Sequence, residues 1–347
     1  MPRMEKLREV MISSPPADSS ECRALLFELY SISGMYPWEP RLLDCEVAKT
    51  GTKPFAEGGF KACWRGMFLG RQEVAMTCPR PHDSDADARR RALREINVWQ
   101  DLRHPNILPF LGSYLCKSRI YMLSPLMKEG DIISYLRRNP DADHTRMILQ
   151  IAYGLLYLHT HDPVVVHGDL KSSNILVGDT GVACLAGFGL SHKEIETATP
   201  KSAAFQIGGN PRWQSPELLT ARNAKEAERT TASDMFAFGR VIIEVYTEEI
   251  PFANIPSLPP IMQMVMNGES PVRPTDREVI ERGLDDRIWE IAKDCSHHEP
   301  YARLTIQRAI SRLLAPLSPP QPGQRSERET RGFLRALGRS QLAPLDP

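Results

Sequence analysis

Nowhere does the 347-residue chain run apolar for long enough to cross a bilayer. Glu5, Arg8 and Glu9 break up the N-terminus where a secretory leader would need an apolar centre, so no signal peptide is read there. A soluble, cytoplasmic protein without a membrane span is the expectation. Surplus charge is missing as well: 43 Lys and Arg stand against 43 Asp and Glu, and the sequence pI is ≈ 7.1. Binding to nucleic acid or to an anionic membrane surface calls for a basic excess, so neither partner is expected. The cysteines are seven, Cys22, Cys45, Cys63, Cys78, Cys116, Cys184 and Cys295, an odd number that never falls into CxxC spacing. Neither a disulfide framework nor a zinc site is indicated, and a reducing compartment follows. What remains is an ordinary globular composition, 41% hydrophobic and 25% charged, with enough length for two packed lobes.

The chain is organised around Val164 to Val177, VVVHGDLKSSNILV. Two apolar runs flank His167, Gly168 and Asp169, with Lys171 and Asn174 following, and the pattern reads strand, loop, strand. Upstream, PFAEGGFKACWRGMFLGRQEVAM from Pro54 alternates around Gly58 and Gly59 and reads as strand, glycine turn, strand and third strand. Asp85 to Leu102 predicts a helix, with acids in its first turn and Ile96, Trp99 and Leu102 at three-residue spacing. Strands are predicted over 107–114 and 119–123, and the run SPLMKEG then leads into a helical half. Its Thr145 to His159 stretch carries a wide apolar face. At the N-terminus, Leu25, Leu26, Phe27, Leu29 and Tyr30 predict a helix that packs on the domain behind it, a partner-binding helix being the alternative. Beyond Pro316 the chain turns proline-rich and polar, which predicts a disordered linker. There Arg328, Arg331, Arg335 and Arg339 lie near Phe333, Leu334 and Leu337, and a short docking helix is the alternative reading. The expected division is a helical extension over 1–49, one domain over 50–315 and a tail over 316–347.

The HGDLKSSN loop closely resembles the catalytic loop of protein kinases, and residues from about 50 to 315 resemble the protein-kinase domain over its whole length. The wording RHPNILPFLG, GNPRWQSPE and SDMFAFG is closest to the tyrosine-kinase-like group of serine/threonine kinases. The resemblance implies an α+β, bilobal fold, with a β-rich N-lobe over about 50–123 that carries one helix and a mainly helical C-lobe over about 127–315. It implies ATP and magnesium as cofactors and phosphoryl transfer to a protein substrate. In that reading Asp169 accepts the substrate hydroxyl proton, Lys171 neutralises charge on the moving phosphoryl group, and Asn174 holds a metal ion. Glu95 is the helix glutamate that pairs with a third-strand lysine. Gly58 and Gly59 belong to the loop over the phosphates; Cys63, Ala75 and Leu176 flank adenine. Ser124 gates the back of that pocket, and Leu126 and Met127 lie in the hinge that follows. Trp99, Phe110, Phe188 and His167 form an apolar column, Asp234 fixes the catalytic-loop backbone, and Arg303 pairs with Glu217.

Three positions depart from the family pattern. Thr77 stands where the phosphate-gripping lysine belongs, Gly187 where a metal-binding aspartate belongs, and Gly168 where an arginine receives a loop phosphate. The glycine loop is partial too, with Lys61 at its third glycine position, as in the with-no-lysine kinases. Either Lys61 reaches into the phosphate pocket or it is a solvated surface residue. Two functions therefore stand open. One is a pseudokinase, acting as a signalling scaffold or as the allosteric partner of an active kinase; the other is a serine/threonine kinase that uses Lys61. A small-molecule phosphotransferase is disfavoured by Glu217, Asp234 and Arg303 together. Ser191, Thr197, Thr199 and Ser202 offer hydroxyls for modification, yet without an arginine at 168 a phosphorylation switch is not expected.

Overall fold

A computed structural model describes residues 2–13, 19–33, 41–58, 61–79, 85–194, 208–223 and 225–315. Gly59, Thr197, Thr199, Ser202 and the arginine-rich part of the tail lie outside these residues. The chain divides into a compact unit over 1–313 and a second over 314–347, of which only Leu314 and Ala315 are described.

Two helices, α1 (Pro2–Ser13) and α2 (Ser19–Ser33), lead into an antiparallel sheet. Its strands are β1 (Val47–Thr50), β2 (Ala56–Gly58), β3 (Lys61–Phe68), β4 (Gln72–Pro79), β5 (Gly112–Cys116) and β6 (Arg119–Pro125), in the order β1-β3-β4-β6-β5 with β2 on β3. Helix α3 (Asp85–Trp99) falls between β4 and β5. Cys63 pairs with Thr77 and Arg65 with Ala75. Because side chains alternate across a strand, Lys61, Cys63, Ala75 and Thr77 share one face. Phe68, Val74, Met76 and Cys78 point the other way into a second apolar cluster.

That second cluster explains the N-terminal helices. A sheet apolar on both faces needs two covers; α3 supplies one, and Met4, Met11 and Leu26 of the extension are buried on the other. Arg8 of α1 is locked to the segment before β1, with Nε donating to Glu46 Oε1 at 2.6 Å and Nη2 to Glu46 Oε2 at 3.0 Å and to the Arg41 carbonyl at 2.8 Å. The boundary expected at residue 49 therefore does not separate two bodies. The sequence reading found α2 and missed α1, whose charged residues hide the few apolar ones that pack.

The helical half begins with α4 (Ile132–Arg138) and α5 (His144–His159), each N-capped by an aspartate, Asp131 and Asp143. Next come β7 (Val165–Val166), a 3-10 turn at Ser172–Asn174, β8 (Ile175–Val177), β9 (Ala183–Leu185), a second 3-10 turn at Phe188–Leu190 and β10 (His192–Lys193). Helices α6 (Pro216–Thr220), α7 (Thr231–Thr247), α8 (Leu258–Met266), α9 (Arg277–Glu281), α10 (Asp286–Cys295) and α11 (Ile306–Leu314) complete the lobe. Helix α7 is buried along most of its length and starts in a capping box between Thr230 and Ser233.

The strand expected from Ile107 begins only at Gly112. Pro109 has no amide to give a ladder, and the segment before it turns instead toward β9, with Leu108 N donating to the Leu185 carbonyl and Leu185 N to the Asn106 carbonyl. Likewise α3 stops at Trp99, three residues short of the expected end, where the Leu102 amide closes a turn on the Trp99 carbonyl. Among the described residues no helix is long and apolar enough to cross a membrane.

Candidate functional site

The loop between β7 and the first 3-10 turn buries backbone amides that no strand pairs, and it needs an acceptor from elsewhere. Asp234 of α7 provides it: the carboxylate accepts from His167 N and Gly168 N, each at 2.8 Å, and from His159 Nε2 at 3.0 Å. Burial would push this carboxyl up, but His159, the nearby His167 and the Gly168 amide outweigh it and hold Asp234 below the usual range. His167 is held neutral by burial. Its Nε2 donates to the Ala186 carbonyl at 2.9 Å, leaving Nδ1 to accept from Asp169 N at 3.3 Å. In this way the backbone on both sides of Asp169 is pinned.

The Asp169 side chain is engaged by its own loop. Lys171 Nζ donates to Oδ2 at 2.7 Å, and Asn174 Nδ2 donates to the same oxygen at 2.9 Å and to the Asp169 carbonyl at 2.7 Å. Gly187 lies directly behind Asn174 in a left-handed conformation, φ 81° and ψ 45°. A Cβ there would come within 2.5 Å of Asn174 Cγ and Oδ1. Glycine at 187 is thus built into the site by both its backbone and its neighbour.

These residues do not fit a magnesium ion of the kinase kind. Position 187 has no carboxylate, the catalytic-loop oxygen that faces it is that of the Asn174 amide, and among the described residues no group of three or more His, Cys, Asp or Glu is placed to hold a metal.

The other half of the site is built on β3, β4 and α3. Lys61 opens β3 on the face that carries Thr77, and its ammonium forms an ion pair with Glu95, whose side chain is 4% exposed. A Cβ on Gly189 would lie 3.3 Å from Lys61 Nζ and 3.4 Å from Glu95 Oε2, which puts the pair at the inner end of the interlobe cleft, over the 187–189 turn. Thr77 does not replace a cation; its Oγ1 is 3.4 Å from Cys63 Sγ, a thiol that burial pushes up. Half-buried Cys63, Ala75 and Leu176 line apolar surface, with Ala75 paired to buried Ser124. Leu126 N donates to the Glu73 carbonyl at 3.3 Å, the Met127 carbonyl accepts from Gly130 N at 3.1 Å, and Gly58 stands opposite Lys61 in the β2–β3 register.

The two halves meet through aromatic rings. Phe188 lies 5.8 Å from Trp99 and 5.4 Å from His167 between ring centroids, and Trp99 lies 5.2 Å from Phe110. Trp99 Nε1 donates to the Leu108 carbonyl, which orients its ring. Farther down, Arg303 grips Glu217 in a two-point fork, Nη1 to Oε1 at 2.8 Å and Nη2 to Oε2 at 2.7 Å.

Sequence reasoning missed Glu244 of α7. It is buried beneath the catalytic loop, accepting from Ser172 Oγ, Ser172 N at 3.1 Å and Trp213 Nε1 at 2.9 Å. The only signal was its lone charge in the apolar run VIIEVY. Burial pushes this carboxyl up to about 7 against those donors. A carboxyl raised in the folded state favours folding fully below its unfolded value near 4.5, and that contribution is lost as pH rises through about 7. Stability should therefore fall between about pH 5 and pH 8. Glu244→Gln should flatten the fall, gaining about 2 kcal/mol at pH 8 relative to pH 5. Parallel stability profiles for the two proteins in urea melts at several pH values would refute the assignment.

The description "Protein tyrosine and serine/threonine kinase" belongs to the family model that matches residues 51–313. Among curated relatives, the chain is 30% identical over 275 residues to the probable serine/threonine-protein kinase drkB of Dictyostelium discoideum, covering 78% of this chain and 37% of that protein. It is also 30% identical over 267 residues to the serine/threonine-protein kinase CTR1 of Arabidopsis thaliana, covering 75% and 30%. The chain spans only about a third of the length of these relatives. As a class, protein-kinase domains use ATP and magnesium to phosphorylate proteins. With a β-rich lobe, a helical lobe and the loop of Asp169 between them, the chain belongs to the protein tyrosine and serine/threonine kinase family.

Proposed function

We propose that this protein is a pseudokinase: a kinase domain that holds a nucleotide without depending on magnesium, turns it over poorly or not at all, and acts in the cytoplasm as a signalling scaffold or as the allosteric partner of an active kinase. The observation that carries this reading is Gly187, where neither the missing carboxylate nor space for one beside Asn174 is present. Magnesium in working kinases neutralises charge between the β and γ phosphates, and losing such a ligand costs at least ~100-fold in rate. The Lys61–Glu95 pair and the packed aromatic column support retention of the binding-competent shape. The test is thermal stabilisation by ATP with magnesium or with a chelator. The expected midpoint shift is the same in both, and Gly187→Asp is expected to leave it so, because Asn174 blocks the new side chain. Stabilisation that appears only with magnesium would refute the reading.

The Lys61–Glu95 pair also favours a second reading, a serine/threonine kinase in which Lys61 replaces the third-strand lysine. Asp169 would then accept the proton of a protein hydroxyl, with Lys171 neutralising charge on the phosphoryl group in transfer. Transfer of labelled phosphate to a protein substrate, lost in both Lys61→Ala and Asp169→Asn, is the result that would establish it.

A further inference from the structure

Gly168 has φ +76°, and a Cβ on it would come 2.6 Å from Arg229 Cδ and 2.7 Å from the Leu190 carbonyl oxygen. The space beside the catalytic loop is therefore filled from another part of the chain. Arg229 precedes the α7 capping box and is 2% exposed. Its Nε donates to the Gly168 carbonyl at 2.9 Å, and its Nη2 donates to the Gly208 carbonyl. Gly208 O also accepts from Gln214 Nε2 at 2.8 Å, and the Gln214 amide turns back onto the Asn210 carbonyl. One planar guanidinium thus joins the residue before Asp169 to the stretch leading into α6.

We propose that Arg229 is a positioning residue, a clamp that ties the catalytic loop at Gly168 to the 208–215 segment and takes over the fastening that a side chain at 168 cannot provide. The rigid fork suits two carbonyls lying in different directions, a task for which a lysine ammonium on its flexible stem is poorly matched. Burial lowers the proton affinity of Arg229, while the neighbouring carboxylates of Asp169 and Asp234 act to raise it. Its positive charge thus sits close to both acids that define the loop. Glycine at 168 and arginine at 229 form a matched pair, because a side chain at the first position would displace the second.

Amide exchange followed by mass spectrometry on the full chain tests this. Arg229→Ala should speed exchange about 10-fold in peptides covering 165–172 and 208–215, because the hydrogen bonds from charged nitrogen to the Gly168 and Gly208 carbonyls are lost. Amides of β3 and β4 should change by less than about 2-fold. Adding ethylguanidinium to Arg229→Ala should restore protection in both peptides, whereas ethylammonium and Arg229→Lys should not. Should the alanine variant fail to fold, Arg229→Gln carries the same expectation. Unchanged exchange in either peptide, a uniform rise throughout the helical lobe, or recovery of protection with ethylammonium or in Arg229→Lys would each overturn the proposal.

Discussion

Asp234→Asn should lower the thermal midpoint by about 10 °C. The carboxylate is buried and accepts from two loop amides and the His159 ring. Asparagine offers one acceptor oxygen, so its NH2 would face an N–H that has lost its partner. Breaking a buried charged arrangement in this way costs about 3–5 kcal/mol, and each kcal/mol is worth about 2–4 °C in a domain of this size. The pH dependence has a definite sign. With its carboxyl held low in the folded state, Asp234 stabilises the fold above its unfolded value near 3.8, and the contribution is lost as pH falls through the folded value. The variant should therefore unfold less steeply in acid than the parent. A midpoint within about 2 °C of the parent, measured by calorimetry at neutral pH, would show that the loop is held by other contacts.

Lys61→Met should act on binding as well as on stability. Lys61 supplies the cation on Glu95, a carboxylate that is 4% exposed in its side chain. Removing it leaves a nearly buried charge unpaired and takes away the cation that the proposed nucleotide site offers to the phosphates. Loss of one preorganised charged contact is worth about 100-fold in affinity for a nucleoside triphosphate. The two effects separate in a double-mutant cycle. Glu95→Gln added to Lys61→Met should recover stability, because the stranded charge is gone, and should not recover affinity. Nucleotide titrated calorimetrically into Lys61→Met with parental affinity would mean that the ammonium does not reach the phosphates. In that case the ion pair serves only to hold α3.

The pairing of Lys61 with Glu95 was half-legible. Alternation along KACW places Lys61 on the face of Thr77 once β3 and β4 are paired in register, and that much can be read from the letters. Whether the side chain turns inward depends on Glu95, which lies 34 residues away on a helix whose angle to the sheet no local pattern encodes. Gly187 was legible as a missing carboxylate. That Asn174 also fills the space behind it was not, because the contact arises from the left-handed backbone at 187 and the turn of the catalytic loop. The N-terminal helices illustrate the same limit. Helical spacing marked α2, but α1 carries its few buried residues among charges, and it becomes recognisable only when Arg8 meets Glu46.

The order of short motifs around HGDLKSSN, the alternating strands and the departures at 77, 168 and 187 were determined by the sequence alone, since each rests on residues close in the chain or on identity at one position. The tertiary structure decided which charges neutralise one another, Lys61 with Glu95 and Arg8 with Glu46, and which carbonyls Arg229 holds, those of Gly168 and Gly208. The physical reason is that electrostatic partners are selected by distance and burial in three dimensions, and these partners come from elements tens of residues apart.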